Sequence, residues 1–201
     1  MSITLRHLVP ALICSLLLAA CGSVSGLTKE STSAPMRISD FSRVEVMDFS
    51  ASNAMVFDDT KKQADYNTSL AEATKVFADH IAEAVTASGA FQTVARTPGE
   101  GPALRIGGVI TRYDEGNIVA RGLTGFAGQT HFDATVVIAD ARSGKPLTSL
   151  AVDRNSWPLP VGASLSTLQT TNYFMKQAAR KIADELAAKK KPTGEIQKQG
   201  N

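Results

Sequence analysis

The chain has 201 residues, 43% hydrophobic, 6% aromatic and 20% charged, enough for one globular domain and short for two. It is too charged for a polytopic membrane protein and too apolar for disorder throughout. Lys and Arg number 21 against 19 Asp and Glu, a formal +2 that creates no field for nucleic acid, and two cysteines make no disulfide scaffold.

The first element is a leader. Arg6 and His7 precede an apolar run from Leu8 to Ala20, broken only by Pro10 and Ser15. A bilayer-spanning helix needs roughly 20 residues, so this shorter run reads as a secretory signal peptide over residues 1–20. It closes on Leu18-Ala19-Ala20-Cys21, which resembles the bacterial lipobox. The resemblance implies cleavage between Ala20 and Cys21, a diacylglycerol thioether on Cys21, and palmitate on the new amino terminus. Cys14 then leaves with the signal and Cys21 is capped, which excludes cysteine catalysis, thiolate metal sites and an internal disulfide. One acyl chain anchors only marginally, whereas three hold a protein in place. Gly22 follows the cysteine where a retention signal would place Asp. By the same resemblance this implies an outer-membrane lipoprotein, facing the periplasm.

Residues 21–36 carry the lipidated cysteine and a stretch rich in Ser, Thr and Gly that reads as a flexible linker. As a coil it would reach roughly 20 Å, and fully stretched about 50 Å. The folded domain is expected over 37–190. Pro192 stops the last helix, and residues 191–201 read as a disordered tail.

Within the domain, Phe41–Phe49 reads as a strand. Asn67-Thr68 is expected to open a helix whose apolar stripe is Leu70, Ala73, Phe77, Ile81, Ala84 and Val85, closed by Gly89. Phe91–Arg96 is a short strand, and 102–114 a longer one with two small positions, Gly107 and Gly108. Alternation from His131 to Ile138 marks another strand. Asp140-Ala141-Arg142-Ser143-Gly144-Lys145 is a hairpin turn leading into Leu147–Arg154. Ser164–Lys190 reads as a helix with the stripe Leu165, Leu168, Phe174, Ala178, Ile182 and Leu186 and a basic last turn. The order β-α-β-β-β-β-α gives an α+β class: a mostly antiparallel sheet with two long helices packed on one face. The opposite face is mixed and meets solvent or a partner.

Chemistry is sparse. Gly122, Gly125 and Gly128 lie between strands, not before a helix, so they do not form a phosphate loop. Leu123 and Phe126 on that glycine-rich segment suit contact with a partner or a membrane. His131 and Asp133 share one strand face, and Asp114 and Glu115 approach them if the strands pair, but this falls short of a metal set. Asp58-Asp59 with Asp65 reads as a loop without calcium-loop spacing, His80 as a helix-edge residue, and Lys189-Lys190-Lys191 as a solvated basic terminus. No G-x-S-x-G elbow and no H-E-x-x-H occurs. No catalytic residue, metal or cofactor is therefore assigned.

Arg105-Ile106-Gly107-Gly108-Val109-Ile110-Thr111-Arg112-Tyr113, the segment Gly122–Gly128, the Asp140–Lys145 turn and the helix around Ala178–Leu186 together resemble a domain family of unknown function found in bacterial lipoproteins. The resemblance covers Ala103 to about Ala187 and carries no activity. The layout is also similar to envelope-assembly lipoproteins such as penicillin-binding-protein activators and the curli secretion lipoprotein. The expectation is a non-enzymatic outer-membrane lipoprotein that binds another envelope protein or assembles with itself. The alternative is a periplasmic carrier holding a small ligand or lipid between sheet and helices.

Overall fold

The computed structural model describes residues 25–28, 36–52, 55–116, 129–156 and 169–190. A 3-10 turn at Ile38–Asp40 leads into β1 (Arg43–Val46) and β2 (Ser50–Ala51). Then come α1 (Thr60–Ala87), β3 (Thr93–Ala95), β4 (Leu104–Asp114), β5 (His131–Asp140), β6 (Pro146–Asn155) and α2 (Thr171–Lys190). The six strands form one sheet in the order β3-β1-β4-β5-β6, with β2 also lying along β4. The α+β class and the element order stand as the sequence predicts. The pairing needs a correction: β4, β5 and β6 are antiparallel, but β1 runs parallel to both β3 and β4, and β2 parallel to β4, so the sheet is mixed. The reason is α1, which carries the chain back across the sheet so that β3 enters alongside β1, as any helical crossover does.

The helix starts earlier than its apolar stripe. Asp59 is the N-cap, its Oδ1 accepting from the amides of Lys61 (2.9 Å) and Lys62 (3.1 Å). Asn67 and Thr68 therefore lie inside α1, where Thr68 Oγ1 donates to Ala64 O at 2.9 Å. The first two turns, TKKQADY, bear little apolar surface and leave no periodic trace. Asp58-Asp59 is accordingly a helix start, not a carboxylate loop. The expected strand Phe41–Phe49 divides into β1 and β2, because the Phe49 amide turns to Thr74 O of α1 (3.3 Å) instead of the sheet.

Both helices cover one face. Phe77 of α1 stacks between Phe49 (ring centroids 4.8 Å apart) and Phe132 of β5 (4.9 Å). Ile81, Ile106, Ile110, Ile138 and Ile182 are fully buried around them. These side chains fill the middle of the space between sheet and helices, where the carrier reading puts a ligand. Tyr66 of α1 donates to Tyr113 O at the finish of β4, and Thr171 of α2 lies beside Tyr113. Both helices thus begin where β4 and β6 finish, here termed the loop end. At the opposite hairpin end, Lys190 Nζ donates to Ser39 O (2.7 Å) and Phe41 O (2.5 Å) and sits over the Phe91 ring. This basic terminus latches the fold instead of being simply solvated.

Part of the expected linker is built into the edge of the sheet. Ser25 N–H donates to Ala151 O and Thr28 N–H to Ser149 O, both at 2.9 Å. In return the Ala151 amide donates to Ser25 Oγ (2.9 Å) and the Ser149 amide to Thr28 Oγ1 (3.1 Å). Two hydroxyls stand where a neighbouring strand would present carbonyls. Leu27 packs against the core and its amide bonds the Glu185 carboxylate of α2. Residues 25–28 run antiparallel to β6, so the chain enters from the loop-end side.

One charge is buried on the far face. Glu45 is 1% exposed, with Oε1 accepting from Gly99 N–H (2.9 Å) and lying 3.2 Å from Arg43, and Oε2 3.0 Å from Arg105. Burial opposes its charge, but the Gly99 amide and the two guanidinium groups outweigh that and hold the carboxyl below its ordinary 4.5. A carboxyl shifted down stabilises the fold above its unfolded pKa, and that contribution is lost as pH falls through the folded value. Glu45→Gln is expected to lose about 2 kcal/mol at pH 7, less than for a fully buried pair because Arg105 is partly solvated. Urea unfolding at pH 7 and pH 3 checks it: the wild type loses more stability on acidification than the variant.

Candidate functional site

The loop end carries a polar network. The Thr130 amide donates to Ser156 Oγ (2.8 Å), the Ser156 amide to Thr130 O (2.9 Å), and Thr130 Oγ1 to Glu115 O (3.1 Å). Thr130 and Ser156 are buried, so this clamp ties the finishes of β4 and β6 to the start of β5. Tyr113 OH donates to Glu115 Oε1 at 2.5 Å, and burial followed by that carboxylate pushes its phenol well above the ordinary range. Phe57, Tyr66 and Tyr113 form a row of rings with centroids 5.4 and 6.3 Å apart. A cavity of about 240 Å³ opens beside them, lined by Glu72, Val76, Tyr113, Glu115, Thr171 and Met175.

No helix or strand among the described residues packs on the face opposite the helices over β4–β6. Register places Asp114 across from His131, and Arg112 across from Asp133, which in turn faces Asp153. His131, Asp133 and Asp114 do therefore share a face as the sequence predicts. The described residues contain no group of three metal-ligating side chains. Asp133 Oδ1 is buried without a hydrogen-bond partner among the described residues. Burial, then the Asp153 carboxylate, raise its pKa above 3.8 against the pull of Arg112. A raised carboxyl favours folding below its unfolded pKa, and that advantage is lost as pH rises through the folded one. Asp133→Asn is expected to raise the urea midpoint at pH 7 and to bring no gain at pH 3. Sequence reasoning missed Asp153. Counting back from the Asp140–Lys145 turn reaches it to within one residue, and the bulge between Ile138 and Ala139 sets the final register.

A third feature is the furrow between α1 and α2. His80 bridges the helices, donating from Nε2 to Asn172 Oδ1 at 2.6 Å, with Nδ1 3.6 Å from Glu83. Beyond this bar the furrow holds about 450 Å³, lined by small residues (Ala84, Ala87, Ala183) and by Lys176, Arg180 and Asp184. It is shallow and its charges are mixed. Arg96 is committed elsewhere, to Asp48, Asp79 and Val46 O.

Ala20, Cys21, Leu123 and Phe126, and the three glycines of 122–128, lie outside the described residues. So do Leu165 and Leu168 of the expected second helical stripe; α2 begins at Thr171. No helix among the described residues is long and apolar enough to cross a membrane.

The profile of a domain of unknown function, DUF4410, matches residues 44–159. The chain belongs to the DUF4410 family. The DUF4410 match takes in all six strands and α1 and stops before α2, so it begins earlier and ends sooner than the resemblance read from Ala103 onward. No curated protein matches the chain. The solved structures to which the chain is similar include the following three. One is the PelC dodecamer from Paraburkholderia phytofirmans, at 14% identity and TM-score 0.44, covering 80% of this chain and 98% of that one. A second is XCC0632 from Xanthomonas campestris, a DUF330 protein, at 14% and 0.45, covering 81% and 93%. The third is a Caulobacter crescentus CB15 protein assigned as a lipoprotein, at 16% and 0.39, covering 73% and 93%. The roles of those proteins stay with those proteins.

Proposed function

We propose that this DUF4410 protein is a lipid-anchored outer-membrane protein, facing the periplasm, that has no enzymatic activity and binds another envelope protein. The lipobox-like Leu18-Ala19-Ala20-Cys21 supports the anchor, with Cys21 as the acylated residue, and Gly22 supports the outer membrane. The observation that carries the binding role is the one-sided sheet. Its helix-free face over β4–β6 presents half-buried Val109 and Val137 beside the Arg112–Asp133–Asp153 row. Like charges directly opposite each other destabilise a sheet, and a partner's cation beside Asp153 would relieve this one. Leu123 and Phe126, on the segment joining β4 to β5, supply a further contact with the partner or the membrane.

Photo-crosslinking side chains placed at Thr135, the exposed centre of the open face, at Phe126, and at Lys75 on the outer side of α1 test this in intact cells. Thr135 is expected to give a discrete adduct with an envelope protein, and Lys75 none. Adducts solely between two copies of this chain convert the reading to self-assembly. Absence of adducts from both Thr135 and Phe126 overturns it.

A further inference from the structure

We infer that the loop end of the domain rests on the bilayer that holds Cys21, with Val56, Met55 and Tyr173 seated among the lipid headgroups. This rests on the anchor reading above, and two independent observations carry it.

The first is the length and direction of the tether. Ser25 is fixed to Ala151 of β6, and only three residues, Gly22, Ser23 and Val24, separate it from Cys21, four steps along the chain. At 3.3–3.6 Å per residue the acylated cysteine lies no more than about 14 Å from Ser25. A 15-residue coil would have allowed any orientation; a three-residue link does not. Because 25–28 run antiparallel to β6, the chain at Ser25 points toward the loop end. Ala151 to Asn155, the finish of β6, is about 13 Å of strand, so the reach of the tether matches the distance to that end. The hairpin turn at Ala141–Gly144 lies in the opposite direction, below Pro146.

The second observation is where apolar surface is left open. The exposed large hydrophobic side chains among the described residues are Met55 (38% exposed), Val56 (89%) and Tyr173 (43%). All three lie at the loop end: Met55 and Val56 just before α1, Tyr173 in the first turn of α2. Val56 is held outward by its neighbours. The Gln63 side-chain amide accepts from Phe57 N–H (2.8 Å) and donates to Met55 O (3.2 Å), while the Met55 amide bonds Tyr66 OH (3.1 Å). With both flanking residues pinned to α1 and Phe57 stacked on Tyr66, Val56 has no inward option. One exposed valine is ordinary on a protein surface; what points to the bilayer is that Met55, Val56 and Tyr173 all stand at the same end of the domain. Tyr173 has the apolar body and polar tip found at membrane interfaces. The flanking charges Asp58, Asp59, Lys61 and Lys62 cancel, so the contact depends on apolar insertion and not on headgroup charge.

The test uses the full-length acylated protein in phosphatidylcholine vesicles, with a polarity-sensitive fluorophore on a single introduced cysteine. Val56→Cys and Tyr173→Cys report the loop end, and Ser143→Cys the hairpin end; acylation of Cys21 keeps it from taking the label. Nitroxide-bearing lipids are expected to quench the first two at least three-fold more than the third. Adding anionic lipid should leave that ratio unchanged. Thr28→Val, which removes the hydroxyl bonds to β6, should bring the ratio toward one. With intact mass confirming acyl chains on Cys21, equal or reversed quenching overturns this orientation alone. Intact mass without acyl chains overturns the anchor reading and the orientation with it.

Discussion

Phe77→Ala is expected to lower the free energy of unfolding by about 4 kcal/mol, measured by urea denaturation at pH 7. The ring is fully buried and is the link between three elements: it touches Phe49 beside β2 and Phe132 on β5 from its place on α1. Truncation removes the transfer energy of a phenyl ring and leaves a hole that the sheet cannot close, because Phe132 is held by strands paired on both sides and Phe49 by its amide bond to Thr74 O of α1. It also removes two tilted or edge-on ring contacts, each worth about 0.5–1.5 kcal/mol beyond buried area. Phe77→Leu, which refills most of the space, is expected to recover more than half of the loss. Equal losses for the two variants would show that the cavity is not the cause.

Gly108→Ala should be nearly as damaging, at about 3 kcal/mol or more, although it adds a single methyl group. Gly108 has φ +154, and a Cβ there would stand 2.0 Å from Thr135 O on β5 and 3.1 Å from Phe49. The first contact is with backbone in the middle of the longest strand pairing, so relief means parting β4 from β5. Its neighbour gives the control. A Cβ on Gly107 would meet Met47 Cβ at 3.7 Å, ordinary van der Waals contact, so Gly107→Ala is expected to change stability by less than about 0.5 kcal/mol. Parallel urea melts of the two variants separate the positions; similar midpoints would contradict the clash at Gly108.

These two glycines mark the boundary of what the chain reveals before it folds. Periodicity exposes them together as two small positions in one strand, because local spacing cannot report what lies across the ladder. The same limit explains the mixed sheet: β-forming composition identifies β1 as a strand but is silent on its direction beside β4, which α1 decides. Leu70, Ala73, Phe77, Ile81 and Val85 were legible as the buried stripe of α1, since burial follows the helical repeat. The start of that helix was not, because Lys61, Lys62, Gln63 and Asp65 face water and carry no apolar signal. Nothing local marks Glu45 as buried, because the amide that holds it, Gly99 N–H, lies 54 positions away in sequence. The Asp133–Asp153 opposition depends on a bulge that no local pattern marks. Ser25 and Thr28 have the composition of a linker, yet their hydroxyls give them the bonding capacity of a strand.

That last pairing bears on how soluble versions of the protein behave. Outward-facing amides and carbonyls at Ser149 and Ala151 are occupied solely by Ser25 and Thr28 among the described residues. A chain begun at residue 29 would leave a bare ladder along β6, the kind of template on which a second molecule's strand can add. A chain begun at residue 22 would keep its own guard. A dimer or precipitate of the shorter form would then reflect the missing tetrapeptide, not a native assembly.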